Sequence, residues 1–184
     1  MLLRRIIRVL TGITKNIFLK ALYLKNFQSS LICTYSFTTS IIIEKSGFLK
    51  IGKHLSALNI TTLYVGEKAE LILGDRINLN NGVSIVSRKS VKIGSHVSFG
   101  PNCGVYDHDH DYKKTGRERQ EQFTTGSIII GNNVWFGANC TVLKNTVIGD
   151  NCVFGAGSVI KGNYPDNTIV YDSRNEIRKQ IVLN

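Results

Sequence analysis

The stretch IGNNVWFGANCTVLKNTVIGDNCVFGAGSVI, residues 130–160, carries a repeat with a period of six residues. A large apolar residue opens each unit, at Ile130, Phe136, Val142, Ile148, Phe154 and Ile160, and glycine directly follows four of them. The fifth position of each unit is small or of moderate size: Val134, Cys140, Thr146, Cys152 and Ser158. This period fits neither a helix nor the simple alternation of a β-strand. It fits a short strand followed by a sharp corner.

The same phase extends towards the N-terminus. Large residues recur at Leu73, Leu79 and Ile85 and, after a slip of two residues, at Ile93, Phe99 and Val105. Three such units would make one triangular coil, with the large and the small residues inside a narrow prism and glycine or asparagine relieving strain at the corners. The repeat therefore predicts a parallel β-helix over about residues 51–171, rather than a chance alternation within a β-sandwich.

The composition limits the class of protein. The chain has 184 residues, 42% of them hydrophobic, which is enough for one domain with a core that needs no disulfides or metals. The net charge is +10, but residues 1–25 hold six of the 23 cations and no acid, which favours a basic tail over a nucleic-acid-binding body. No apolar run is long enough for a transmembrane helix, and nothing resembles a cleaved signal peptide. Four cysteines without C-x-x-C spacing indicate a reducing cytoplasm.

The repeat is interrupted at about residues 107–127, and we expect this segment to leave the prism as one long extruded loop. It begins with alternating acids and histidines: Asp107, His108, Asp109, His110 and Asp111. Three interpretations compete, namely a metal site, a solvated polar loop and a catalytic site in which one histidine acts as general base. Alternate residues of an extended segment point to opposite sides, so few ligands would converge on a metal. We favour the catalytic interpretation and expect no metal.

From residue 100 to residue 160 the chain resembles the galactoside and maltose O-acetyltransferases and the related polysaccharide O-acetyltransferases, which are left-handed parallel β-helices. In those enzymes the catalytic histidine lies nine residues after the proline of a Pro-Asn pair, which leads here from Pro101 to His110. An asparagine thirty residues before that histidine contacts the sugar acceptor, which here is Asn80. Further residues are expected on the acceptor side or orienting the catalytic ring: Asp107, His108 and Asp109. Which of the two aspartates holds the ring stays open.

The resemblance also implies acetyl-CoA as the acyl donor. Trp135 matches the tryptophan of the family's G-N-N-V-W motif, near the thioester end of the channel, and Ala138 and Ala156 match small positions along the pantetheine arm. The family usually closes with a Gly-x-Pro segment and a basic residue that holds the nucleotide phosphates. The corresponding stretch here has Glu176 where an arginine is expected. Other basic residues are available instead: Lys161, Arg174, Arg178 and Lys179.

Residues 1–27 are predicted to form an amphipathic basic helix ahead of a β-helix domain, residues 28–171, and a tail, residues 172–184. Apolar residues fall at helical spacing, at Leu3, Ile6, Leu10, Ile13, Ile17, Ala21 and Leu24, and Arg4, Arg8, Thr11 and Lys15 fall on the other side. The helix either lies peripherally at the inner face of a membrane, or covers the open end of the prism or packs on a neighbouring subunit. We favour packing.

The function implied by the resemblance is acetyl-CoA-dependent O-acetylation of a saccharide hydroxyl in bacterial surface polysaccharide biosynthesis. The resemblance also implies a homotrimer with each active site between two neighbouring prisms. Two alternatives stay open: N-acetylation of an amino sugar or amine, and a non-catalytic β-helix scaffold. Serine acetylation is disfavoured, because those enzymes carry a large helical N-terminal domain that the residues before the repeat cannot supply.

Overall fold

The computed structural model describes residues 2–171, which form a β-helix with three parallel sheets as its faces. Strands are numbered along the chain. The first face contains β1 (Phe27–Ser29), β4 (Phe48–Ile51), β7 (Glu70–Leu73), β10 (Ser90–Ile93), β15 (Ile128–Ile130), β18 (Thr146–Ile148) and β21 (Asn163–Tyr164). The second contains β2 (Thr34–Tyr35), β5 (Ser56–Ala57), β8 (Asn78–Leu79), β11 (Ser98–Phe99), β16 (Trp135–Phe136), β19 (Val153–Phe154) and β22 (Ile169–Val170). The third contains β3 (Ser40–Ile43), β6 (Thr62–Val65), β9 (Ser84–Ser87), β12 (Gly104–Tyr106), β17 (Thr141–Leu143) and β20 (Val159–Ile160). The predicted fold class is confirmed.

The coils shorten along the chain. Leu71 pairs with Val91 in the next coil, 20 residues on, whereas Ile128 pairs with Thr146, 18 residues on. Only the coil that begins at Ile128 therefore has the length of three six-residue units, and the next is shorter still, since Ile148 pairs with Tyr164, 16 residues on. The slip of two residues in the repeat falls where β9 and β10 have four residues each, joined by a corner of two residues, 88–89.

Asparagine relieves strain at the corners, as the repeat predicts. Six asparagines have φ between 55° and 61°, in the left-handed region that asparagine tolerates: Asn102, Asn133, Asn139, Asn145, Asn151 and Asn167. The prediction is wrong for the glycines that follow the large apolar residues, because these glycines do not have a positive φ. A Cβ on Gly94 would lie 2.6 Å from the carbonyl oxygen of Gly131 in the next coil, so glycine is needed there for the close approach of two backbones.

The interior of the prism is a column of the predicted large residues. All six that open the units of residues 130–160 are buried, and so are the earlier ones. Phe136 stacks between Phe99 and Phe154, with ring centroids 4.6 and 5.1 Å apart. The cysteines of the small position, Cys103, Cys140 and Cys152, are buried free thiols that fill the core, as predicted. Burial raises the pKa of Cys103 to about 11.

The N-terminal helix α1 (Leu2–Tyr23), followed by a 3-10 turn at Leu24–Asn26, packs on the first coil of the prism. The packing interpretation is therefore correct for the described chain. The side of α1 that is buried consists of small or polar residues and one leucine: Thr11, Gly12, Asn16 and Leu19. No helix described between residues 2 and 171 combines the length and the hydropathy that crossing a bilayer requires.

Backbone groups of the first coil explain why this polar side faces the prism. Asn16 Nδ2 donates to the carbonyl oxygen of Ser30 at 2.9 Å, and its Oδ1 accepts from the buried hydroxyl of Tyr35 at 3.1 Å. Lys15 Nζ donates to the carbonyl oxygen of Thr39. The first coil has no preceding coil to pair with, so it offers acceptors that a purely apolar helix face would leave unsatisfied.

The interruption is more ordered than a loop. Residues 107–126, here called the arm, contain β13 (His108–His110), a short helix α2 (Gly116–Glu121) and β14 (Phe123–Thr125). The strands β13 and β14 pair antiparallel, with His108 opposite Thr125 and His110 opposite Phe123. The arm thus leaves the prism, as expected, but as a two-stranded ribbon whose backbone hydrogen bonds are made internally.

Candidate active site

Asp107 is the buried root of the arm. Its side chain has no exposed surface. Its two oxygens accept hydrogen bonds from the backbone N–H groups of residues 88–90 at 2.7–2.8 Å, and the hydroxyl of Ser87 donates at 3.1 Å. Burial alone would raise the pKa of Asp107, but the hydrogen bonds from His108 and from these N–H groups outweigh it and hold the pKa below its usual value. The expected contact of Asp107 with an acceptor does not fit this burial.

The two histidines of the arm lie in different surroundings. His108 Nδ1 is 3.4 Å from Asp107 Oδ1, and the His108 side chain is 14% exposed. Its ring meets those of Tyr106 and Phe123 edge-on, with centroids 6.3 and 5.3 Å apart. His110 is exposed, with its ring centroid 4.7 Å from that of Phe123. His108 is thus wedged at the base of the arm, whereas His110 lies on its exposed side.

Asp109 points away from the histidines and anchors the arm to the next coil. Its carboxylate is 3.1 Å from Lys144 Nζ, which also donates to the carbonyl oxygen of Thr124 at 3.2 Å. The Lys144 side chain is largely buried, so the arm is fixed to the prism on this side by a lysine with little freedom. Asp107 and Asp109 were both candidates for holding a histidine ring, and Asp107 is the one in contact with a histidine, His108.

Arg88 also holds the arm, although it is not among the residues predicted for the site. Its guanidinium carbon lies 3.8 Å from the ring centroid of Phe123 and 5.4 Å from that of Tyr64, within the range of cation–π contacts. The available signal was the two-residue slip of the repeat. At this place the two-residue corner turns successive N–H groups towards Asp107 and puts Arg88 beside the arm.

A shallow groove of about 350 Å³ on the second face brings Asn80 and Trp135 together. Its other lining residues come from neighbouring coils of the same face: Ser56, Leu58, Asn78, Leu79, Ser98, Phe99 and Gly100. Ala138 and Ala156 lie beside it at the corner between the second and third faces, where the carbonyl oxygen of Ala138 accepts from Gly157 N at 2.8 Å. The residues predicted for the acceptor and for the acetyl-CoA channel therefore share one side of the prism.

The arm and the groove lie at different corners. The arm leaves between the third and first faces, whereas Asn80 follows β8 at the corner between the second and third. One prism thus does not bring His110 and Asn80 together. Lys161 lies at the corner of the arm, after β20. The remaining residues of the predicted phosphate site, Arg174, Glu176, Arg178 and Lys179, lie outside the described residues.

Among the side chains of the described chain, no three of the metal-ligating types His, Cys, Asp and Glu are grouped as a metal site would require. The alternation of the acids and histidines explains the dispersal. Asp107 turns into the prism, Asp109 turns to Lys144, and the histidines face Phe123. What the arm offers is therefore an accessible imidazole on a rigid support, which is suited to proton transfer.

Comparison with known proteins agrees with the repeat. The family described as "Bacterial transferase hexapeptide (six repeats)" matches residues 127–162. The chain is 28% identical over 136 residues to the "Putative lipopolysaccharide biosynthesis O-acetyl transferase WbbJ" of Escherichia coli K12, covering 70% of this chain and 69% of that protein. It is 32% identical over 108 residues to the galactoside O-acetyltransferase of Lactococcus lactis, covering 59% of this chain and 52% of that enzyme. The chain thus spans about half of the galactoside enzyme.

Among solved structures, the fold is similar to that of AntD, an N-acyltransferase from Bacillus cereus, in the complex of a point mutant with dTDP and coenzyme A. The TM-score is 0.64 with 18% sequence identity, over 83% of this chain and 82% of that one. At this identity the likeness concerns the fold.

Proposed function

We propose that the chain is a hexapeptide-repeat acetyltransferase that transfers an acetyl group from acetyl-CoA to a saccharide hydroxyl in the biosynthesis of a bacterial surface polysaccharide. Two relatives named as O-acetyltransferases, one of lipopolysaccharide biosynthesis and one of galactosides, support a saccharide acceptor. The observation that carries the proposal is the accessible His110 on an arm anchored at both Asp107 and Asp109.

In the proposed mechanism His110 is the general base. A sugar hydroxyl is a poor nucleophile at neutral pH, so a base within hydrogen-bond reach must take its proton as the oxygen attacks the thioester carbonyl. The new ester bond forms as the bond to sulfur breaks, and His110 returns the proton to the CoA thiolate. His108, wedged against Asp107, keeps the arm in place. The spacing from Pro101 and the exposure of His110 both support this assignment.

The donor would lie along the second face. Trp135 is more than half exposed there, and Ala138 and Ala156 leave room at the neighbouring corner for a narrow chain such as pantetheine. The proposed contacts of the nucleotide phosphates are Arg178, Lys179 and, from the arm corner of the neighbouring prism, Lys161. A homotrimer completes the proposal, because a site with both His110 and Asn80 needs the corner of one prism and the groove of its neighbour.

The test is a thiol-release assay with acetyl-CoA and a panel of saccharides and amino sugars. We expect saccharide-dependent release and an ester product that hydroxylamine cleaves. His110→Ala should lower turnover about a hundred-fold or more with nearly unchanged affinity for acetyl-CoA, since a base acts in the transition state. His108→Ala should cost less.

Other outcomes would redirect the assignment. A larger loss of turnover from His108→Ala than from His110→Ala would identify His108 as the base. An amide product formed only with amino sugars would favour the N-acetyltransferase. No turnover with any acceptor, together with no binding of acetyl-CoA, would leave the scaffold interpretation.

A further inference from the structure

The outward side of α1 is a continuous apolar stripe. Five of its large side chains are 46–64% exposed: Ile6, Leu10, Ile17, Phe18 and Leu22. They recur at the spacing of one helix face over most of a helix of 22 residues, about 33 Å long. Scattered exposed leucines are ordinary on soluble proteins, but a stripe of this length indicates a surface that is covered by something else.

The stripe faces outward because the other side of the helix is fixed by specific contacts. A Cβ on Gly12 would lie 1.9 Å from the carbonyl oxygen of Cys33, so only glycine permits the approach of helix and coil at this point. Arg8 donates to the Ser56 hydroxyl at 3.1 Å, and Asn16 is fully buried. Rotating α1 to bury the stripe would break these contacts, so the exposure of the stripe is built into the packing.

The sequence around the stripe is basic, although two of its cations, Arg8 and Lys15, contact the prism. No acid precedes Glu44 in the sequence, whereas six cations lie within residues 1–25. Two of these, Lys20 and Lys25, line a concavity of about 810 Å³ at the C-terminal end of α1, which Lys45 and Glu44 also line. The Glu44 carboxylate accepts from the hydroxyl of Tyr64 and the backbone N–H of residue 67, so it is held by other groups at the rim.

We propose that α1 docks the protein on the surface of an anionic lipid bilayer, with the apolar stripe at the headgroup boundary and the lysines beside it. A helix that is apolar on one side, basic at its edges and free of acids has the features of an interfacial helix. The prism then stands on the membrane with its first coil nearest the lipid. The arm leaves after the fourth coil, about 14 Å further along at the usual spacing of paired strands.

Sedimentation of the full chain with vesicles tests this docking without any assay of activity. We expect binding to vesicles that contain phosphatidylglycerol, weaker binding to vesicles of phosphatidylcholine alone, and weaker binding as salt is raised. Leu10→Ser with Phe18→Ser should lower binding about ten-fold or more. The matched control is Ile169→Ser, which removes an apolar side chain, 68% exposed, from the last coil at the opposite end of the prism. Lys20→Gln with Lys25→Gln should reduce only the preference for the anionic lipid.

Circular dichroism melting shows that each variant is folded before it is compared. Equal binding by the Leu10/Phe18 variant and by the wild type would overturn the proposal. The proposal would also be overturned if neither protein bound vesicles and the wild type were an oligomer that dissociates in this variant. The stripe would then be covered by a second copy of the chain. These measurements test the docking independently of whether the chain transfers an acetyl group.

Discussion

Asp107 shows how a single residue can couple the prism to the arm. A fully buried carboxylate is costly to desolvate unless hydrogen bonds replace its water. Here the N–H groups of residues 88–90, from the corner and the first residue of β10, do so. The sequence DHDHD indicates carboxylates beside histidines, but which one is buried depends on a corner twenty residues earlier.

Replacing Asp107 with Asn should destabilise the fold by about 2–3 kcal/mol at pH 7, because a charged acceptor of several N–H groups becomes a neutral amide with a misplaced donor. The folded-state pKa of Asp107 is lowered, so its stabilisation is present above the ordinary carboxyl pKa and is lost as the pH falls through the lower folded-state value. The free energy of unfolding can be measured with urea at pH 7 and at about pH 3. The difference in this free energy between wild type and variant should be smaller at the lower pH.

The control for this prediction is Asp109→Asn. Its half-exposed carboxylate pairs with Lys144, and such pairs contribute less than about 1 kcal/mol. A loss equal to that of Asp107→Asn, or a difference that does not change with pH, would show that Asp107 is not the ionised anchor.

At the scale of elements, the arm depends on the packing of Phe123. This ring lies under Arg88 and touches both histidines, so it joins β14 to β13 and to the corner before β10. Its partly exposed position contributes little to the core of the prism, which is formed by a separate column of side chains. The ring therefore affects the position of His110 more than the stability of the fold.

Replacing Phe123 with Ala should lower turnover about ten- to a hundred-fold, because a base displaced by about 1 Å loses its productive geometry. The melting temperature should fall by only a few degrees, and affinity for acetyl-CoA should persist. Steady-state kinetics, calorimetry and melting of the variant measure these quantities. Phe37→Ala, at an exposed position of the prism, should leave all three unchanged. A variant with wild-type turnover would mean that the arm needs no such support.

How far the sequence predicts each element depends on whether the pattern is local. The strands of residues 130–160 follow from the repeat, because every inward position is read directly from its period. The longer coils around Leu71 and Val91 do not, since four-residue strands shift the period. The outward side of α1 also could not be predicted, because it depends on backbone acceptors of the first coil rather than on the apolar stripe itself.

The whole molecule keeps its candidate site residues at separate corners. A parallel β-helix holds each corner in one column, so the arm cannot swing to the groove of Asn80 without leaving its anchors at Asp107 and Lys144. In a closed assembly of three chains, the arm corner of one prism can face the groove of the next, and the same contact repeats around the axis. The proposed site is then shared by two subunits.

Mixing two inactive variants tests this sharing. Asn80→Ala retains His110, and His110→Ala retains Asn80, so each homotrimer should be defective at every site. When the two chains are coexpressed with different tags and purified through both, every trimer is mixed, and the cyclic arrangement leaves an intact pair of residues at about a third of the interfaces. Turnover should therefore return to about a third of the wild-type value. If His110 and Asn80 acted within one prism, every chain would lack one of them, and the mixed assemblies would show no more turnover than the two variants alone.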